Sequence, residues 1–395
     1  MVINIKSPLR IYVHTPFCIH KCHYCDFNSH VFKAPPWQKY GDALVKEILA
    51  YAKAPQFAGR SVSSIFFGGG TPSLAPASMF ADVLQAIGDS FVLESDAEVS
   101  IEANPGASDA CRFEGYRRAG INRISIGVQS FDAKELKFLE RIHSGDEAIK
   151  AFAMAKDAGF DNINLDLMYA LPHQSLAQWF TSLQQAIALQ PQHLSCYQLT
   201  VEPNTQLFVT HKKKQLAFPD ETLALEFFWQ TRKQLAEAGF AAYEISNFAQ
   251  LGKHCQHNVG YWQYDDYIGI GAGAAGKWDD DQQGAVRYTN IRSPQTYMNA
   301  VHQGDSAINF REDLAYAEAM GEAVWLGLRQ SEGLNLQRFA MRFGQAVEIV
   351  YPVLLRQWLG QGLMETYEKV GQSYLRLSDK GLNIADDITA SFLHA

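Results

Sequence analysis

The chain has 395 residues, of which 47% are hydrophobic, 12% aromatic and 19% charged, enough apolar material for a sizeable core. Its net charge of -8 argues against a nucleic-acid protein, which would carry a basic domain or stripe. The start, MVINIKSPLR, lacks the apolar stretch of a signal peptide, and no apolar run is long enough to span a bilayer. The expectation is a cytoplasmic protein of two or three domains, or one large α/β domain with an appendage. Its cysteines would be reduced, and a cysteine cluster would then bind metal in preference to forming disulfides.

Six β-rich runs follow one another in the first half: LRIYVH (9–14), VSSIFF (62–67), AEVSIE (97–102), INRISIGV (121–128), DNINLDL (161–167) and HLSCYQLT (193–200). Stretches of helical periodicity lie between them, such as WQKYGDALVKEILAYAK and LAQWFTSLQQAIAL. This alternation predicts an α/β fold with parallel strands joined by crossover helices. Periodicity leaves open whether the sheet closes into a barrel.

The residues after each strand carry more information. HTPFC follows the first strand, GGGTP the second, EANP the third and VQSF the fourth; Asp166 ends the fifth, and TVEP follows the sixth. Any one of these reads as a turn, because Gly, Pro and Asn are turn residues. Six in succession, at strand ends that build the active site in α/β barrels, read as one site.

Beyond residue 203 the pattern is mixed. The segment GIGAGAAG (269–276, within 257–278) contains a GxGxxG match but lacks the strand-to-helix context of a dinucleotide site. The HKKK run at 211–214 reads as a solvated basic loop. From about residue 310 the chain is helix-rich, with YLRLS as a small β-wing. The expected domains are a core at 1–235, a connecting region at 236–305 and a helix-rich, winged-helix-like accessory domain at 306–395.

The segment HTPFCIHKCHYCDFNSH (14–30) holds Cys18, Cys22 and Cys25 and crowds histidines around them. Thiolates spaced C-x3-C-x2-C can meet at one centre, either zinc with one of His14, His20, His23 or His30, or an iron–sulfur cluster. Three thiolates on a [4Fe–4S] cubane leave one iron without a protein ligand. Of the other cysteines, Cys111 and Cys196 read as buried small hydrophobes.

This spacing after a first strand, with Tyr24 before the last cysteine, resembles the signature of radical S-adenosylmethionine (SAM) enzymes. Taken with FFGGGTPSL, IEANPG, GINRISIGVQSF, LDLMYALP, YEISNFA and HNVGYW, the chain resembles the heme chaperone HemW family, relatives of oxygen-independent coproporphyrinogen III oxidase (HemN). The resemblance covers essentially the whole chain and implies a partial, three-quarter (β/α)6 TIM-like barrel, open on one side. It also implies that Cys18, Cys22 and Cys25 ligate a [4Fe–4S] cluster whose open iron takes SAM. Gly69, Gly70 and Thr71 would bind the methionine end, with Tyr12 and Tyr24 beside the cluster and adenine. Glu102, Gln129 and Asp166 would bond the SAM amine and ribose, and Arg141 its carboxylate.

Two functions compete within this resemblance. One is SAM-radical decarboxylation of a porphyrinogen; the other is binding heme and handing it to acceptor hemoproteins, among them membrane-associated respiratory enzymes. Phe27 stands where the oxidase has a further cysteine, and Cys18 comes almost at once where the oxidase carries a longer region before the cluster, so the chaperone is the expected function. The family's HNxxYW motif appears as His257, Asn258, Tyr261 and Trp262. His257 is either a heme axial ligand or part of a packed junction, and Cys255 is a second candidate for the iron. A homodimer is compatible with this reading.

Overall fold

The computed structural model describes residues 7–107, 110–213, 216–280 and 284–393. Lys214 of the HKKK run and the side chain of Cys111 lie outside the described residues. The six predicted strands form as β1 (Leu9–Thr15), β2 (Ser61–Gly69), β3 (Val92–Ala103), β4 (Arg123–Gln129), β5 (Ile163–Tyr169) and β6 (His193–Gln198). Each pairs in parallel with the next. A seventh strand, β7 (Tyr267–Ile270), runs parallel to β1 on its other side. The sheet does not close. Short antiparallel strands at Asn247–Ala249 and Ala241–Ala242 extend it beyond β6. Ala275–Asp280, Gly284–Asn290 and Ile308–Ala315 extend it beyond β7. The result is a partial (β/α)6 barrel with long antiparallel flanks.

Strand alternation sorts the chemistry. In β1, Leu9, Ile11 and Val13 are fully buried against the outer helices, where they join Tyr40, Leu44 and Ile48 of the helix Trp37–Lys53. The alternate residues Arg10, Tyr12 and His14 face the barrel interior, as the period of two requires. The interior is therefore polar along β1, and it is here that cofactor chemistry can be housed. The crossover helices start cleanly: Ser144 with Glu147, and Ser175 with Gln178, form capping boxes on Gly145–Asp157 and Leu176–Ala188.

The region 236–305 contributes strands to both edges of the barrel sheet. A second core gathers Ala319, Val324, Phe339, Leu355, Met364, Leu375 and Ile388 around a three-stranded sheet with a Met364–Lys369/Gln372–Leu377 hairpin. This is the winged unit expected from YLRLS. Among the described residues, no helix is long and apolar enough to cross a membrane.

Candidate functional site

The loop carrying the three cysteines leaves β1 and is pinned at its base. His30 N donates to Pro16 O (2.7 Å) and Phe32 N to Cys18 O (3.2 Å). The GGGTP turn after β2 lies directly against it. Gly70 N donates to Thr15 O (2.8 Å), Thr71 N to Phe17 O (2.9 Å), and Thr71 Oγ1 to Cys18 Sγ (3.6 Å). A Cβ on Gly70 would come within 2.7 Å of Phe17 O and 2.9 Å of Cys18 Sγ, so only glycine allows this approach. The N–H groups of Gly69, Gly70 and Thr71 are thus already used, Gly69's by Glu102. A cationic amine would be met here by carbonyl oxygens.

The remaining strand ends converge above this turn. Glu102 at the end of β3 accepts from Gly69 N (3.0 Å). Asp166 in β5 accepts from Ser125 Oγ (2.9 Å) and Asn164 Nδ2 (2.8 Å). Arg141 Nη2 donates to Gly127 O (2.9 Å) and to Asn104 Oδ1, while its Nη1 lies 3.9 Å from Cys22 Sγ. Gln129 closes β4 with φ 65, a left-handed turn that folds its amide back over Gly127. Tyr24 sits beside Arg141, Cys22 and Cys25. Tyr12 is deeper in the barrel, its hydroxyl on His14 Nδ1 (2.9 Å). The predicted cofactor residues are therefore brought to one end of the barrel, with Tyr12 forming its floor.

Two residues that act on this end, Asn104 within it and Arg123 at the start of β4, were not picked out from sequence. Asn104 links Arg141 to Thr71 Oγ1 (3.2 Å); its signal was the EANP turn after β3. Arg123 is buried in the barrel wall, where its charge acts on both Asp166 and Glu102.

Burial, with Asp166 nearby, pushes the Glu102 carboxyl up to about 8 from the ordinary 4.5. Below the ordinary value the group is protonated folded or unfolded. Between the two values only the folded chain keeps the proton, so the stability it contributes is lost as pH rises to about 8. A cationic ligand offsets that loss by pairing with the ionised carboxylate. The SAM-dependent rise in melting temperature should therefore be larger at about pH 7.5 than at about pH 5.5, a window in which the ligand's α-amino group stays cationic; an equal rise at both would remove Glu102 from the site.

The comparisons with known proteins fit this geometry. The radical SAM superfamily model matches residues 12–186, and the HemN C-terminal domain model matches residues 314–383. Heme chaperone HemW of Escherichia coli (strain K12) is 45% identical over 295 residues, 74% of this chain and 76% of that protein. Heme chaperone HemW of Bacillus subtilis (strain 168) is 32% identical over 384 residues, 97% of this chain and 98% of that protein. The chain belongs to the heme chaperone HemW family. Coproporphyrinogen III oxidase (HemN) from Escherichia coli superposes with a TM-score of 0.79 at 23% identity, covering 98% of this chain and 90% of that one. The two share the fold.

Radical SAM membership implies a [4Fe–4S] cluster and SAM, and the residues of this HemW family member fit them. The thiols are near neighbours: Cys25 feels the charge of both Cys18 and Cys22. Burial pushes the Cys18 and Cys25 thiols up, so a thiolate there requires a cationic centre. Among the described residues no three His, Cys, Asp or Glu side chains close on a point as a single metal ion needs. Arg141 Nε is buried without a partner, leaving the guanidinium a donor to spare for a carboxylate.

The HNxxYW motif lies at the opposite end of the barrel. Its helix, Gln256–Trp262, is capped by Glu98 of β3, which accepts from Gln256 N (2.9 Å) and His257 N (3.3 Å). His257 is 1% exposed, with Nδ1 bonded to Ser64 Oγ (2.9 Å) and Nε2 to Tyr261 OH (2.8 Å). Gly260 lets Arg10 of β1 cross the helix, since a Cβ would sit 1.4 Å from Arg10 Nε. Asn258 is half-buried beside Cys255, whose thiol is on Glu98 Oε1 (3.4 Å). Trp262, under the Arg329 guanidinium, lines a cavity of about 1080 Å³ with Arg338, Phe339 and Phe343 of the second core's unit.

In this arrangement His257 closes the barrel's N-terminal end. His257→Ala should destabilise the fold by roughly 2–4 kcal/mol, because it opens a cavity and leaves Ser64 and Tyr261 hydroxyls unpaired. Denaturant unfolding checks this; a loss below about 0.5 kcal/mol would deny the plug role.

Proposed function

We propose that this chain is a cytoplasmic heme chaperone that binds heme and passes it to acceptor hemoproteins, while holding a [4Fe–4S] cluster and SAM at its strand ends. The observation that carries the choice is Phe27, 58% exposed in the cofactor loop where the porphyrinogen oxidase has a further cysteine. HemW family membership supports the same choice. Cys18, Cys22 and Cys25 hold the cluster, which when bound supplies an electron to SAM. Arg141 takes the SAM carboxylate, Glu102 the amine, and Asp166 with Gln129 the ribose hydroxyls. The glycine turn brings the ligand against the cysteine loop and excludes water from that side.

For heme, the motif member that lines a cavity is Trp262, and that cavity, about 1080 Å³, has room for an aromatic ligand; His257 acts through packing. Acceptors in this reading include membrane-associated respiratory enzymes, and a homodimer fits it equally. The shared fold with coproporphyrinogen III oxidase favours a second reading, catalysis on a porphyrinogen. Anaerobic reconstitution followed by heme titration tests the first: saturable heme binding is expected, weakened by Trp262→Ala. Failure of the reconstituted protein to bind heme would reject it.

A further inference from the structure

The GIGAGAAG segment, which is no dinucleotide site, has a different use in the structure. It runs from β7 into the strand Ala275–Asp280 and passes beneath the far limb of the cysteine loop. Asn28, three residues after Cys25, spends one amide proton there and the other on the loop that follows the strand Gly284–Asn290: Nδ2 donates to Ala272 O and to Arg292 O, each at 2.9 Å. The Asn28 carbonyl in turn meets His14 Nε2 at 2.9 Å, tying the limb back to β1.

The glycines make this contact possible. Gly273 has φ +79, and a Cβ there would lie 2.2 Å from Asn28 Nδ2. Gly271 has φ +103, and its Cβ would lie 2.6 Å from His14 O and 2.7 Å from Tyr40 OH. Tyr40 OH donates to His14 O (2.7 Å) and accepts from Ala272 N (3.0 Å), so the fully buried phenol bolts the segment to β1. The near limb of the loop rests on GGGTP and the far limb on GIGAGAAG, two glycine-rich supports on either side of the three thiols.

We infer that GIGAGAAG is a docking platform for the cysteine loop, with Asn28 the positioning residue that sets Cys25 relative to Cys18 and Cys22. This rests on the reading of the three cysteines as cluster ligands. The Asn28 side chain is spent on Ala272 and Arg292, so it acts by fixing the limb that carries Cys25. Its amide must supply two donors to two carbonyls, which a carboxylate of the same shape cannot do.

The test compares the reconstituted full-length protein with Asn28→Ala, Asn28→Asp, Gly273→Ala and the Asn28→Ala/Gly273→Ala double variant. Cluster content after desalting, the electron paramagnetic resonance spectrum of the reduced cluster and apo-protein melting are measured together. The expected result is a several-fold loss of retained iron or a shifted spectrum in Asn28→Ala and Asn28→Asp, with melting unchanged. Gly273→Ala should cost less in the Asn28→Ala background than alone, because the clashing amide is gone while the strain of alanine at φ +79 stays in both. Wild-type iron retention and an unchanged spectrum in both Asn28 variants would overturn the proposal. So would strictly additive effects of the two single changes. Should Gly273→Ala fail to fold, the two Asn28 variants decide. A wild-type protein that takes up no iron would instead contradict the cluster reading itself.

Discussion

Replacing Cys22 by serine is expected to abolish cluster retention while leaving the fold intact. Cys22 is the middle thiol of the loop and half-buried, so serine fits its place with little change in packing. What is lost is the thiolate, since an alcohol does not ionise as a thiol does near neutrality. With only Cys18 and Cys25 left, a cubane would be held by two ligands. Iron and sulfide per chain should fall to background, and the apo-protein unfolding free energy should move by no more than about 0.5 kcal/mol. The loop's anchors to Thr15, Phe17 and Pro16 are backbone bonds that the substitution does not touch. Wild-type iron content in this variant would show that the loop is not the cluster site.

Arg141→Ala is expected to weaken SAM binding about 10- to 150-fold. A charge-assisted contact of this kind contributes about 1.5–3 kcal/mol, and each 1.4 kcal/mol is tenfold in affinity. In the absence of ligand the guanidinium is steadied by Asn104 and Gly127 O, so it is already oriented beside Cys22. Arg141→Lys should recover part of the loss, because lysine restores the charge but not the two-pronged geometry. Cluster content should stay at the wild-type level in both variants, which separates this effect from that of Cys22→Ser. Equal SAM affinity for wild type and Arg141→Ala, by calorimetry on the reconstituted protein, would remove Arg141 from the site.

The barrel was legible because parallel strands advertise themselves by β-branched runs and by turn residues at their ends. Leu9–Thr15 and Trp37–Lys53 match the runs read from sequence almost residue for residue. The third strand begins earlier than its apolar stretch, at Val92, because that end pairs with Ser61 and Val62 while its side chains stay exposed. Backbone pairing there needs no hydrophobic pattern. The cysteine loop and the glycine turn were legible because their spacing is local.

What sequence could not show was distance across the fold. Asn28 meets Ala272, and Glu47 in the first long helix accepts from Tyr297 and Asn290; these partners lie far apart in the chain. Neither pair leaves a local trace. The same holds for HNxxYW, where the residue types suited either a heme site or a packed junction. Only the bonds to Ser64 and Tyr261 reveal that His257 has both ring nitrogens engaged. GIGAGAAG is similar, for Gly273 answers to Asn28 of the cysteine loop and Gly271 to His14 O and Tyr40, atoms far away in the sequence.

The most direct measurement is made on one anaerobic sample, reconstituted and loaded with heme, then given an apo-hemoprotein, SAM and coproporphyrinogen. The account predicts that heme appears in the acceptor, as its absorption spectrum reports, and that no coproporphyrinogen is decarboxylated. Heme that stays on this chain, together with protoporphyrinogen formed in a SAM- and Cys18-dependent manner, would contradict it.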